Sequence, residues 1–162
     1  MTRDPDHILN WQRLDPLITT SGQPSEEQIA ELAMIGVQHV INLGLHSHPR
    51  ALPDEEASVR QAGMRYTHIP VPFDAPDEGH YAAFREALDA WPGAVHVHCI
   101  MNFRVSAFFY RWHVEERGMD LAAARALMEQ QWSPDAPPSE EQRAAFAAWA
   151  AFMAGTRGAA AD

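Results

Sequence analysis

Cys99 and Arg104 bracket the loop Ile100-Met101-Asn102-Phe103, and Cys99 is the only cysteine in the chain. Ahead of them, Val95-His96-Val97-His98 reads as a short buried strand. Behind them, Val105, Phe108, Phe109 and Trp112 recur at the spacing of one helix face. Strand, short loop and helix start make a place for an anion, because the first N–H groups of a helix lack intrahelical acceptors and the helix dipole adds positive charge there. A cysteine at the mouth of such a loop has its thiolate favoured by the same groups. Arg104 adds a planar, permanently charged fork suited to a tetrahedral oxyanion. A nucleophilic sulfur beside an anion cradle can attack a phosphoryl group. Alone, the cysteine would read as a small core hydrophobe and the arginine as a surface residue. Their order along strand, loop and helix is what points to chemistry.

For the amides of the loop to face one anion, some residue must turn left-handed, at φ > 0. Ile100, Met101 and Phe103 are poor at this, and asparagine is the best-tolerated substitute for glycine. Asn102 is therefore the expected turning point, or else its side chain braces the loop by hydrogen bonding.

The elements around this unit alternate. Ile8 to Ser21 reads as a β-hairpin turning at Asp15-Pro16, and Ser25-Glu26-Glu27-Gln28 as a capping box opening a helix with Ile29, Leu32 and Ala33 inward. A buried strand over 39–43 follows, then a loop with His46, His48 and Arg50, and a helix from Pro53 to Gly63 whose first turn carries Asp54, Glu55 and Glu56. Met64 to Val71 is the next expected strand, and Pro72-Phe73-Asp74-Ala75-Pro76-Asp77 an acidic, turn-rich loop. Helices are expected from about Glu78 to Ala90, from Asp120 to about Gln131, and after a second capping box at Ser139-Glu140-Glu141-Gln142. The fold class is thus α/β, a central and largely parallel sheet flanked by helices, with a helical C-terminal third. Residues 1–155 are expected to form one domain and 156–162 a flexible tail. Ligands of such sheets bind beyond the carboxyl ends of the strands, which gathers the loops at 46–50, 72–77 and 99–104 on one rim.

Composition bounds the partners. Of 162 residues, 22 are acidic and 12 basic, a formal net charge of −10, which disfavours nucleic acid and anionic membrane as partners. A single cysteine excludes an intrachain disulfide and fits a reducing compartment; with no apolar leader and no long apolar run, a cytoplasmic location is expected. His46-x-His48 and His96-x-His98-Cys99 have spacings a metal could use, but strand alternation puts His96 and His98 on one face and Cys99 on the other. No metal and no cofactor is expected.

His98-Cys99-Ile100-Met101-Asn102-Phe103-Arg104 resembles the phosphate-binding loop of cysteine-dependent protein tyrosine and dual-specificity phosphatases. The capped helix, Gly36-Val37, Val40-Ile41-Asn42-Leu43, His68-Ile69-Pro70-Val71 and Asp74 follow in the order of the dual-specificity branch. The pattern, over residues 8 to 132, is most similar to bacterial phosphatase-like proteins related to the domain fused to beta-lactamase-like hydrolases. The resemblance implies a phosphatase acting on a phosphorylated substrate, with small oxyanions as further ligands. Cys99 would be the nucleophile, Arg104 and the amides from Ile100 to Phe103 the phosphate clamp, and Asp74 the general acid, with Asp77 its rival. His98 would orient the loop, while His46 on the rim and Ser106, one position beyond the family's usual hydroxyl, are supporting candidates. The usual pattern separates cysteine and arginine by five residues, often with a glycine; here there are four and none is glycine. Rhodanese-type sulfurtransferases also use four, so a sulfurtransferase, or a catalytically weak anion-binding or protein-interaction module, are the alternatives. The His-Cys pair and the acidic loop upstream favour the phosphatase.

Overall fold

The computed structural model describes residues 3–156. Strands β1 (Gln12–Asp15) and β2 (Ile18–Ser21) form an antiparallel hairpin, closed where the Leu17 N–H donates to Asp15 Oδ1 at 2.7 Å. Beyond the hairpin every pairing is parallel. With β3 (His39–Asn42), β4 (Arg65–His68) and β5 (Val95–His98), the sheet runs in the order β1-β2-β5-β3-β4. Ser21 and Asn42 both lie level with His98, and His68 lies level with Asn42. Four strands therefore end at one height, and the segments after them share a rim.

Alternation along the strands splits the core between two faces. Val40 points to one side, with Ile8, Ile29, Leu32, Val59 and Met64. That side is covered by α1 (Glu26–Met34) and α2 (Glu55–Gln61). Ile41, Val95 and Val97 point to the other and meet an aromatic cluster that includes Phe84, Phe108, Phe109 and Trp149. This larger core is built from α3 (Glu78–Asp89), α4 (Phe103–Glu115), α5 (Leu121–Met128) and α6 (Arg143–Ala154). Because α4 is wrapped by neighbours, Arg104 through Phe109 are all buried.

Several boundaries differ from the sequence expectation, among them the hairpin, whose first strand starts at Gln12 rather than Ile8. The strand expected over 64–71 is regular only for Arg65–His68. The Ile69 and Val71 amides still donate to Asn42 and Leu43, but the prolines at 70 and 72 have no N–H and interrupt the ladder. α5 ends at Met128 rather than near Gln131, where the Gln130 and Gln131 amides close turns onto Leu127 and Met128. The first capping box forms, with Ser25 Oγ accepting from the Gln28 N–H and Gln28 Oε1 from the Ser25 N–H. The second does not. The Gln142 and Arg143 amides are taken by the backbone carbonyls of Ser139 and Glu140, so Ser139–Gln142 is a turn and α6 starts at Arg143 without a side-chain cap. The tail expected at 156–162 lies, beyond Thr156, outside the described residues.

Candidate active site

β5 delivers Cys99 to the rim, fully buried, and α4 begins four residues later. Between them the backbone turns at Asn102, with φ 69° and ψ 8°, the left-handed conformation expected from sequence. Its side chain does the bracing as well, since Nδ2 donates to the Asn10 carbonyl at 2.9 Å and to Thr20 Oγ1 at 3.1 Å. Asn10 answers by donating from its own Nδ2 to the Met101 carbonyl at 2.8 Å. Asn10 is also left-handed, and these two are the only non-glycine residues with positive φ among the described residues. Ser106 Oγ donates to the Asn102 carbonyl at 2.6 Å and to Phe103 at 3.2 Å, tying the loop to the first turn of α4. From below, the Gln23 N–H donates to the Ile100 carbonyl at 2.9 Å.

The consequence for the loop amides is specific. The first backbone bond of α4 runs from the Ser106 N–H to the Asn102 carbonyl, and the N–H groups from Ile100 to Val105 have no acceptor among the described residues. Such a run of unpaired donors at a helix start is a ready anion site. Arg104 adds to it. The residue is 6% exposed; Nη1 donates to the Val71 carbonyl at 2.9 Å, while Nε is buried with no partner.

Cys99, Arg104, Ile100, Met101 and Phe103 line a cavity of about 330 Å³. Its other walls are mostly apolar: Leu45, Phe73, Pro138 and Phe146, with His48 and Gln142 as polar exceptions. The helical C-terminal part thus completes the cavity. Phe146 packs edge-on against Phe73, and Trp149 Nε1 donates to the Phe73 carbonyl at 2.6 Å. Asp74 follows Phe73 directly and is exposed. Asp77, its rival, is engaged elsewhere: it caps α3, accepting from the His80 N–H at 2.8 Å.

His98 is buried, with Nδ1 3.0 Å from the Cys99 carbonyl and Nε2 2.6 Å from Glu55 Oε2. Gln23 Nε2 donates to the other oxygen of Glu55 at 2.8 Å. Burial pushes the Glu55 carboxyl up, but the charge and hydrogen bond of His98, the Gln23 bond and the charge of His46 outweigh it and hold it below the usual range. In the sequence Glu55 is one of three first-turn acids; only its 2% exposure, beside exposed Asp54 and Glu56, sets it apart.

His96 and His46 are engaged away from the cavity. His96 lies between Thr19 Oγ1 and Ser21 Oγ, both at 2.8 Å, and stacks on Trp11; burial, with His98 nearby, holds its ring well below the ordinary value. His46 does not reach the cavity. It stacks on His68 at 3.7 Å and pairs with the Tyr66 hydroxyl at 2.9 Å, and the wall position falls to His48 two residues on. Among the described residues, no three His, Cys, Asp or Glu side chains are placed to share a metal ion, and no helix is long and apolar enough to cross a membrane.

No family model matches the chain. Over 113 residues it is 32% identical to the beta-lactamase hydrolase-like protein of Xylella fastidiosa, a stretch that is 68% of this chain and 26% of that protein. The chain spans about a quarter of the length of the curated relatives it matches. A DUF442 protein of Shewanella putrefaciens CN-32, named as a phosphatase, is 32% identical with a TM-score of 0.76, over 92% of this chain and 89% of that one. TpbA of P. aeruginosa, solved in complex with pTyr, has a TM-score of 0.67 over 96% of this chain and 88% of its own; at 22% identity the likeness is one of fold.

A five-stranded, mostly parallel sheet that brings a cysteine, a run of unpaired amides and an arginine to one rim is the architecture of the cysteine-based tyrosine and dual-specificity phosphatases. On identity along nearly its whole length, the chain belongs to the DUF442 family.

Proposed function

We propose that this chain hydrolyses phosphomonoesters with an aryl or similarly flat apolar group, through a cysteinyl-phosphate intermediate. The observation that carries this reading is that Ile100, Met101, Phe103 and Arg104, whose backbone N–H groups have no acceptor among the described residues, line one cavity with Cys99, and that Arg104 Nε is without a partner. Cys99 Sγ attacks phosphorus as the bond to the ester oxygen breaks, and the amides and Arg104 take up the charge on the phosphoryl oxygens. Asp74 donates its proton to the leaving oxygen. It then accepts one from the water that cleaves the sulfur–phosphorus bond, releasing phosphate and restoring the thiolate. Phe73, Phe146 and Leu45 offer an aromatic leaving group apolar surface, and the cavity supplies no second cluster of cations for a polyphosphorylated one. Phosphotyrosine, the compound bound in the TpbA structure, is an ester of this kind.

Turnover of p-nitrophenyl phosphate by the purified chain, lost in Cys99→Ser, is the expected result. Sulfur transfer from thiosulfate to cyanide at a higher rate than phosphate release would overturn it in favour of the sulfurtransferase.

A further inference from the structure

We infer that Glu55 is a positioning residue for the reaction, acting through His98 to fix the peptide that follows Cys99; this rests on the phosphatase reading above. The argument begins with protons. A carbonyl oxygen only accepts, so the contact between His98 Nδ1 and the Cys99 carbonyl requires a hydrogen on Nδ1. The 2.6 Å contact between His98 Nε2 and Glu55 Oε2 requires a second hydrogen. The two side chains therefore share two protons and carry no net charge as a pair, which suits side chains that are 0% and 1% exposed. With the carboxyl held below its usual range, it is the acceptor in that contact and His98 Nε2 is the donor.

The geometric consequence follows from the planarity of the peptide bond. In a trans peptide the carbonyl and the next N–H point in opposite directions. Holding the Cys99 carbonyl on His98 aims the Ile100 N–H, the first unpaired amide of the loop, the other way. Without Glu55 a neutral ring is free to place its one hydrogen on either nitrogen, and the Cys99 carbonyl is no longer secured. The titratable groups around the pair are His46, His68 and Tyr66, with Asp54 and Glu56 on α2, His96 beside His98 on β5, and Cys99 itself. Among these side chains, only Glu55 makes a hydrogen bond to the His98 ring.

The direct test is the imidazole spectrum of the full chain, which does not depend on turnover. Wild type is expected to show both His98 ring nitrogens protonated at neutral pH, and Glu55→Gln only one. In Glu55→Gln the rate at which iodoacetamide alkylates Cys99 at pH 7 should fall about tenfold, as the peptide after Cys99 loses its hold. Protection of Cys99 by inorganic phosphate should weaken with it, and Glu55→Asp should recover part of both. A single ring proton in wild type overturns the inference even if the variants do not fold. So does a Glu55→Gln protein whose alkylation and phosphate protection match wild type. If both ring protons and the alkylation effect appear but wild type hydrolyses no phosphomonoester, the phosphatase reading fails and the hold of Glu55 on the loop stands.

Discussion

Gly22→Ala is the smallest change expected to disable the site while leaving the fold in place. Gly22 follows the last residue of β2 and passes against the loop of Cys99. A Cβ built there lies 2.5 Å from the Ile100 carbonyl oxygen, with Leu9 Cδ2 at 3.0 Å and Leu9 Cγ at 3.1 Å behind it. The nearest atom is backbone, so no rotamer change relieves the overlap. Restoring an ordinary contact needs a shift of about 0.5–1 Å. That shift strains two short bonds, from the Gly22 N–H to the Leu9 carbonyl at 2.7 Å and from the Gln23 N–H to the Ile100 carbonyl at 2.9 Å. Overpacking of this kind costs about 1–3 kcal/mol, several degrees in melting temperature for a chain of this size. Displacing the unpaired loop amides by up to about 1 Å should cost more in rate, about 10–100-fold in kcat/KM. The assay is p-nitrophenyl phosphate hydrolysis beside thermal melting, with two controls. In Gly44→Ala the new Cβ meets only side chains at 3.1 and 3.4 Å before the backbone of Cys99 at 3.7 Å, so its effect is milder. In Gly36→Ala the residue sits at φ +93° in open space, so stability falls and activity per folded molecule does not. Wild-type kcat/KM in a folded Gly22→Ala protein would refute the reasoning. So would equal activity losses in Gly22→Ala and Gly36→Ala at equal stability.

Asn102→Gly keeps the left-handed turn but removes the bonds to Asn10 and Thr20, at about 1 kcal/mol each; Asn102→Val removes both devices, so phosphate protection of Cys99 should weaken in the first and vanish in the second. Equal loss in the two would put the whole effect on the side chain. His96 makes the fold acid-sensitive: its folded ring titrates well below the ordinary 6.5, so the unfolded chain binds that proton more readily. Stability is then complete above about pH 6.5 and falls below it by up to about 1.4 kcal/mol per pH unit, until the folded ring itself titrates. Burial shifts His39, His68 and His113 the same way, and urea midpoints that stay flat from pH 7.5 to 5 would contradict all four. Asp74→Asn should slow alkyl phosphates strongly and p-nitrophenyl phosphate only mildly, whereas equal losses on both would make Asp74 a structural acid.

What could be read from the sequence was local. Ser25 and Gln28 lie three residues apart, and the strand before Cys99 and the helix after Arg104 each carry their own period. Asn102 followed from the φ preferences of four consecutive residues. What could not be read depends on partners brought together by the fold. Glu55 is ordinary in its own helix and acquires its place only beside His98, 43 positions later. Ser139-Glu140-Glu141-Gln142 repeats the letters of the first capping box, yet it closes as a turn on its own carbonyls, and sequence carries no sign of that. His46 and His48 are alike in type and spacing, and only the stacking of His46 on His68 decides which one faces the cavity.

The pairing of Asn10 with the loop at Asn102 has a consequence for how the protein assembles. Its hydrogen bonds join residues 91 and 92 positions apart, among the most distant contacts in the chain. Closing so long a span is entropically unfavourable until the strands between are in place, so these bonds form late in folding. The sheet and α4 can condense first, with the loop still mobile. The N-terminal arm then docks, and the two left-handed asparagines pair with each other's backbone. Competence to bind an anion should accordingly appear after secondary structure and tryptophan burial during refolding, as a separate, slower phase. Asn10→Ala, which removes the bond to Met101 and keeps Ile8 in the core, should leave a folded sheet whose cysteine senses phosphate less.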